Sequence, residues 1–97
     1  MEGYLEIWQG FFSRWTKNYF RLMDDTLLFG PSKEEIEGKI HLKVARIVST
    51  IDDPVSLIIH TGTETLRLRA SSIDERVRWF KKLKSTQKKA EQANYHK

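Results

Sequence analysis

The chain has no cysteine among its 97 residues. Disulfides, thiolate metal sites and cysteine nucleophiles are therefore excluded, and the chain is compatible with a reducing, cytoplasmic setting. No apolar run approaches the ~20 residues that cross a bilayer, and Glu2 and Glu6 stand where a secretory leader would carry basic residues. Membrane contact, if there is any, is expected to be peripheral. Catalytic signatures are missing as well: there is no G-x-S-x-G, no Walker sequence, no H-E-x-x-H and no glycine-rich strand-to-helix turn. Asp24-Asp25 and Asp52-Asp53 are adjacent pairs in turns, and neighbours on an extended chain point apart, which is poor geometry for a catalytic dyad. His41, His60 and His96 are scattered along the sequence and suggest no metal triad. No catalytic residue, metal or cofactor is expected. The most informative absence is local. Between Trp8 and Arg21, WQGFFSRWTKNYFR, there is no acidic residue, although acids are common elsewhere.

That segment is crowded with aromatic and basic side chains. Phe11-Phe12 follow Gly10, where the chain should turn, with Arg14, Lys17 and Arg21 close behind. Apolar and cationic groups sharing one edge suit a lipid headgroup layer. Adjacent exposed aromatics mark an interaction site, although one ring could instead fold back into the core.

The formal net charge of +4 conceals a division. From Arg76 onward eight Lys or Arg face the single Glu91, a net +7, whereas residues 1–75 hold nine basic residues against twelve acids, a net −3. The basic balance belongs to the C-terminal segment, where a solvated helix face accounts for most of it. A chain of this length fits one domain with a single modest core.

Period-two alternation predicts strands around Leu5 and Ile7, over Thr16–Leu22, at Leu27–Phe29, over Lys39–Val44, at Ile47–Ile51, around Leu57 and Ile59, and over Leu66–Ala70. Gly30-Pro31, Asp52-Asp53-Pro54 and Gly62 mark turns. Ser32 to Gly38, with Glu34, Glu35 and Glu37, reads as an exposed acidic loop. Ser72-Ile-Asp-Glu75 forms a capping box, so a helix should start there. Ile73, Val77, Phe80 and Leu83 form its inward stripe with Trp79 beside them, and Arg76, Arg78, Lys81, Lys82 and Lys84 face out. Beyond Leu83 the stripe stops, so the domain is expected over residues 1–93 with an irregular tail over 94–97. Nucleic acid is not an expected partner, because no aromatics interleave with the helix lysines as stacking platforms.

Strands followed by one helix, without crossovers, exclude a parallel α/β sheet. The expected fold is mainly β with one C-terminal helix: a seven-stranded antiparallel curled sheet or partly open barrel, capped by the amphipathic helix. At Glu2-Gly3-Tyr4-Leu5, at Trp15 with Tyr19-Phe20-Arg21-Leu22, and at Glu75-Arg76 followed by Trp79, the chain resembles the pleckstrin homology family over nearly all its length. Within it, the E-G-x-L-x-x-W opening and the W-x-x-x-x-F strand are similar to the four-phosphate adaptor, ceramide transfer and oxysterol-binding group. That resemblance implies a non-catalytic module, a monomer in isolation, that belongs to a larger lipid-transfer or signalling protein. It further implies binding to membranes bearing phosphatidylinositol 4-phosphate, commonly at the Golgi.

By the same resemblance, Trp8 ends the first strand beside the lipid, Phe11 and Phe12 take the place of a membrane wedge, and Arg69 matches a basic residue that contacts phosphate. Arg14, Lys17, Asn18 and Arg21 complete the expected headgroup set. Ile7, Asn18 and Pro31 stand where the family has basic residues, so the usual pocket is electrostatically weak; Asn18 donates a hydrogen bond without charge. Lys17 and Arg21 fall on the opposite strand face, where some members bind a headgroup outside the usual pocket. The second expectation is a protein-interaction domain of this fold with a degenerate lipid pocket, docking a partner through the sheet face or the basic helix.

Overall fold

The computed structural model describes residues 1–95, with side chains as far as Gln92. Seven strands are followed by one helix: β1 (Glu2–Gln9), β2 (Arg14–Met23), β3 (Thr26–Gly30), β4 (Gly38–His41), β5 (Arg46–Ser49), β6 (Ser56–His60), β7 (Thr65–Arg69) and α1 (Ile73–Tyr95). All pairings are antiparallel, in the order β4-β3-β2-β1-β7-β6-β5. The edge strands β4 and β5 do not pair with each other, so the sheet curls without closing into a barrel.

Alternation decides the two faces. Leu5 and Ile7 of β1, Phe20 and Leu22 of β2, Leu57 and Ile59 of β6, and Leu66 and Leu68 of β7 point inward and are buried. Phe20 stacks on Phe29 with centroids 5.6 Å apart and meets the edge of Trp79 at 6.4 Å. Trp79 and Leu83 bring α1 onto this core, and both are buried.

The expected strand over Lys39–Val44 is corrected. It ends at His41, and Leu42–Val44 form a 3₁₀ turn. The alternation still places Ile40 and Leu42 inside, but the chain must leave one sheet edge there to reach the other. The turn is held by Leu42 N–H donating to the Asp25 carbonyl (2.9 Å) and Ala45 N–H donating to the Leu42 carbonyl (3.2 Å). Val44 is left exposed.

The helix begins where the capping box predicts, with the Glu75 amide donating to Ser72 Oγ (3.1 Å). The Glu75 carboxylate accepts from the Ser71 hydroxyl. Its inward face differs from the expected stripe: Ile73 is exposed, Trp79 and Leu83 form the centre, and the stripe continues past Leu83 through Gln87. Gln87 Nε2 donates to the carbonyls of Leu42 and Ala45, both at 2.6 Å, fastening α1 to the 3₁₀ turn. The irregular tail expected over 94–97 falls partly on His96 and Lys97, which lie outside the described residues.

Candidate functional site

The β1–β2 hairpin carries most of the predicted site. Its strands pair from Glu2↔Arg21 to Gln9↔Arg14, leaving Gly10–Ser13 as the connecting loop. Phe12 N–H donates to the Gln9 carbonyl (3.0 Å) and Ser13 N–H to the Gly10 carbonyl (3.2 Å). Ser13 adopts φ 51°, the left-handed conformation that lets so short a connection reverse the chain. This turn throws both phenylalanines outward: Phe11 is 93% and Phe12 61% exposed. Neither ring folds back into the core. The two lie edge to face with centroids 5.1 Å apart, and the Arg14 guanidinium sits 5.2 Å from the Phe12 ring centre.

Register distributes the six predicted headgroup residues over two faces. Arg14 and Asn18 share the inward side with Leu5 and Ile7. Trp8, Lys17, Arg21 and Arg69 share the outward side. Asn18 is 9% exposed, and its Nδ2 donates to the Thr16 carbonyl (3.1 Å).

On the outward face Glu6 lies opposite Lys17 on β2 and Arg69 on β7, so a carboxylate separates two cations. Arg69 Nε donates to Glu6 Oε1 at 2.9 Å, with a second guanidinium nitrogen at the same distance. The Arg69 guanidinium also lies 4.2 Å from the Trp15 ring centre, while Trp15 and Trp8 form a cross-strand pair at 5.4 Å. Lys17 Nζ sits 5.1 Å from the Tyr4 ring. Together Tyr4, Glu6, Lys17, Arg69 and Ser71 line a shallow cavity of about 240 Å³. An anion entering it would meet Lys17 and Arg69 directly but would also meet Glu6.

Arg21 is engaged deeper in the hairpin. Its Nε donates to the Tyr19 hydroxyl (3.1 Å), which donates in turn to Glu2 Oε1 (2.7 Å). The Tyr19 hydroxyl bond holds the Glu2 carboxyl below its usual range, with Arg21 and Lys33 adding to the effect. Burial, reinforced by the bond to Glu2, pushes the Tyr19 phenol up. Arg21 is thus committed to a half-buried chain of bonds that ends on the exposed Glu2.

Sequence reading missed Glu6, Tyr4 and Trp15 as members of this surface. The signal was available in the alternation of Glu6 with Leu5 and Ile7, but the partner Arg69 lies 63 residues away and only the β1–β7 pairing brings it in. Among the described residues no cluster of His, Asp or Glu could hold a metal ion. No described helix is long and apolar enough to cross a membrane.

A curled, unclosed antiparallel sheet with a helix docked after the last strand defines the class. The chain belongs to the PH domain family, whose model matches residues 1–88. Domains of this family bind phosphoinositide headgroups or proteins and are generally non-catalytic modules.

A curated relative, pleckstrin homology domain-containing family A member 8 of Homo sapiens, is 32% identical over 85 residues, covering 82% of this chain. The chain spans only 16% of that relative's length. Among solved structures, the PH domain of human oxysterol binding protein-related protein 11 is similar, with a TM-score of 0.84, 21% identity and coverage of 96% of this chain and 83% of that one. The C-terminal PH domain of pleckstrin in complex with D-myo-Ins(1,2,3,5,6)P5 has a TM-score of 0.78 and 25% identity, with coverage of 90% and 93%.

Proposed function

We propose that this domain docks peripherally on an anionic membrane through the β1–β2 hairpin, inserting Phe11 and Phe12 beside a phosphoinositide headgroup of the phosphatidylinositol 4-phosphate class. The observation that carries this reading is the pair of solvent-exposed rings at the hairpin tip, flanked by cations. Fully burying a Phe side chain contributes roughly 1.5–3 kcal/mol, and each Lys or Arg near an anionic leaflet contributes about 1 kcal/mol. Two rings with Arg14, Lys17 and Arg69 therefore suffice for weak, reversible docking, and stable residence requires a second signal. Lys17 and Arg69 serve the headgroup on the outward face beside Trp8, whereas Arg14 and Asn18 lie on the opposite face, where Arg14 supports the tip, and Arg21 contributes only its distant charge.

The inositol phosphate bound by the pleckstrin domain, whose fold is similar, supports an inositol-phosphate headgroup in general. The relatives that the sequence resembles support a role within a larger lipid-transfer or signalling protein, at the Golgi or another phosphoinositide-bearing membrane. Liposome flotation tests the reading. The wild type should float with anionic vesicles, more so when they contain phosphatidylinositol 4-phosphate, and Phe11→Ala/Phe12→Ala should lower the bound fraction at least about tenfold. If the wild type floats with no anionic vesicle, or the double variant floats as well as the wild type, the proposal is wrong.

A further inference from the structure

The strongest charge in the molecule lies far from the hairpin tip. Met1, the Asp24-Asp25 turn between β2 and β3, and the middle of α1 lie together at the other end of the β1–β2 hairpin, where they line a groove of about 610 Å³. The eight residues of β1 put roughly 26 Å between the two ends at about 3.3 Å per residue. That is about three Debye lengths at physiological ionic strength, so lysines here add little to the attraction of an inserted tip.

Lys82 and Lys89 line the groove from α1 and Asp24 and Asp25 from the β2–β3 turn, with Met1, Leu22, Thr86 and Ala90 completing the lining. Arg78 and Lys81 continue the basic wall into an adjoining cavity. Arg78, Lys82 and Lys89 are spaced four and seven residues apart and so share one helix face. None of these cations forms an ion pair among the described residues, where the ion pair is Arg69 with Glu6.

We infer that this groove is a docking surface for an acidic protein segment carrying an apolar anchor. The acidic side chains lie along the Arg78, Lys82 and Lys89 face, and the anchor covers Met1 and Leu22. Charge complementarity selects the occupant: a bare stripe of cations calls for carboxylates. Asp24 and Asp25 repel acids at the β2–β3 turn, which favours placing the segment's carboxylates along α1. A flat anionic bilayer fits the site poorly, because its charges would meet Asp24 and Asp25 as well as Lys82 and Lys89.

The test is fluorescence anisotropy with the whole chain and a short fluorescein-labelled Glu/Asp-rich peptide containing one Leu. Binding should saturate, and Lys82→Glu/Lys89→Glu should weaken it about tenfold, since two attractions become two repulsions. Lys84→Glu/Lys88→Glu makes the same charge change on the other helix flank and should alter affinity less than about twofold. Asp24→Asn removes a repulsion at a left-handed position (φ 54°) that Asn adopts well, and should tighten binding. A peptide with Gly in place of its Leu should bind more weakly.

Equal losses from the two lysine pairs would mean diffuse charge attraction and would overturn the site. So would absence of saturable binding. Loss of vesicle flotation by Lys82→Glu/Lys89→Glu with unchanged peptide affinity would assign the face to a membrane instead. Should that variant fail to fold, amide shifts of the wild type during peptide titration decide: they must cluster at Leu22, Asp24, Lys82 and Lys89, and shifts centred on the hairpin tip overturn the proposal. Phe11→Ala/Phe12→Ala should bind the peptide as the wild type does, so the outcome is independent of the membrane reading.

Discussion

At the scale of single residues, two polar side chains hold the fold by completing hydrogen bonds that the backbone leaves open. Gln87 is only 8% exposed, and its amide satisfies two carbonyls of the turn that carries the chain between the sheet edges. Replacing it with Leu keeps the volume but takes the donor from the Ala45 carbonyl, while the Leu42 carbonyl keeps the Ala45 amide, and an unsatisfied buried acceptor costs about 1–3 kcal/mol. Gln87→Leu should therefore lower the unfolding free energy in urea by at least ~1 kcal/mol; an unchanged midpoint would show that water replaces the clamp. Asp53 plays the matching part between β5 and β6. Its carboxylate accepts from Ser56 Oγ (2.6 Å) and from the Val55 amide (3.3 Å). The Ser56 hydroxyl is the main reason its acidity is raised, and the Val55 amide, Arg67 and Arg69 reinforce it against partial burial. The folded chain thus prefers the charged form. The resulting stability is fully present above the ordinary aspartate value of 3.8 and is lost as pH falls through the lower folded value. Thermal melts should show a steeper acid decline in the wild type than in Ser56→Ala, and equal slopes would remove Asp53 as a contributor.

At the scale of elements, the hairpin tip is separable from the body. Phe11 and Phe12 touch each other and Arg14 but add nothing to the core cluster. Phe11→Ala/Phe12→Ala should leave the unfolding free energy within about 1 kcal/mol of wild type, by chemical denaturation. A larger loss would mean that the rings hold the turn together. The strands were legible because period-two alternation in β1 and β7 coincides with one buried and one wetter face. The 3₁₀ turn was not, because Ile40 and Leu42 keep the same alternation through a change of backbone that only the distance between sheet edges requires. The inward stripe of α1 past Leu83 was hidden for a related reason: Gln87 is polar, and its burial depends on carbonyls more than forty residues away in sequence. For the candidate site, sequence correctly placed the rings at a turn. It could not tell that Asn18 and Arg69 fall on opposite sheet faces, since that follows from the β1–β7 pairing.

At the scale of the whole molecule, charge and apolar surface are distributed by end. The hairpin tip offers rings with a few cations, and the helix carries most of the net positive charge. The two ends are held in fixed relation by a sheet that has two free edges, β4 and β5, joined through the 3₁₀ turn that Gln87 grips. A closed barrel has no weak seam, whereas this cylinder has one, and α1 is its latch. Local opening should therefore begin with release of the helix from that turn, and hydrogen exchange should find the amides of β4 and β5 exchanging as one unit. The β1–β2 ladder, central in the sheet and paired on both sides, keeps its protection through such an event. The domain can breathe along its seam without disturbing the hairpin, in the manner of a clasp that opens away from what it carries.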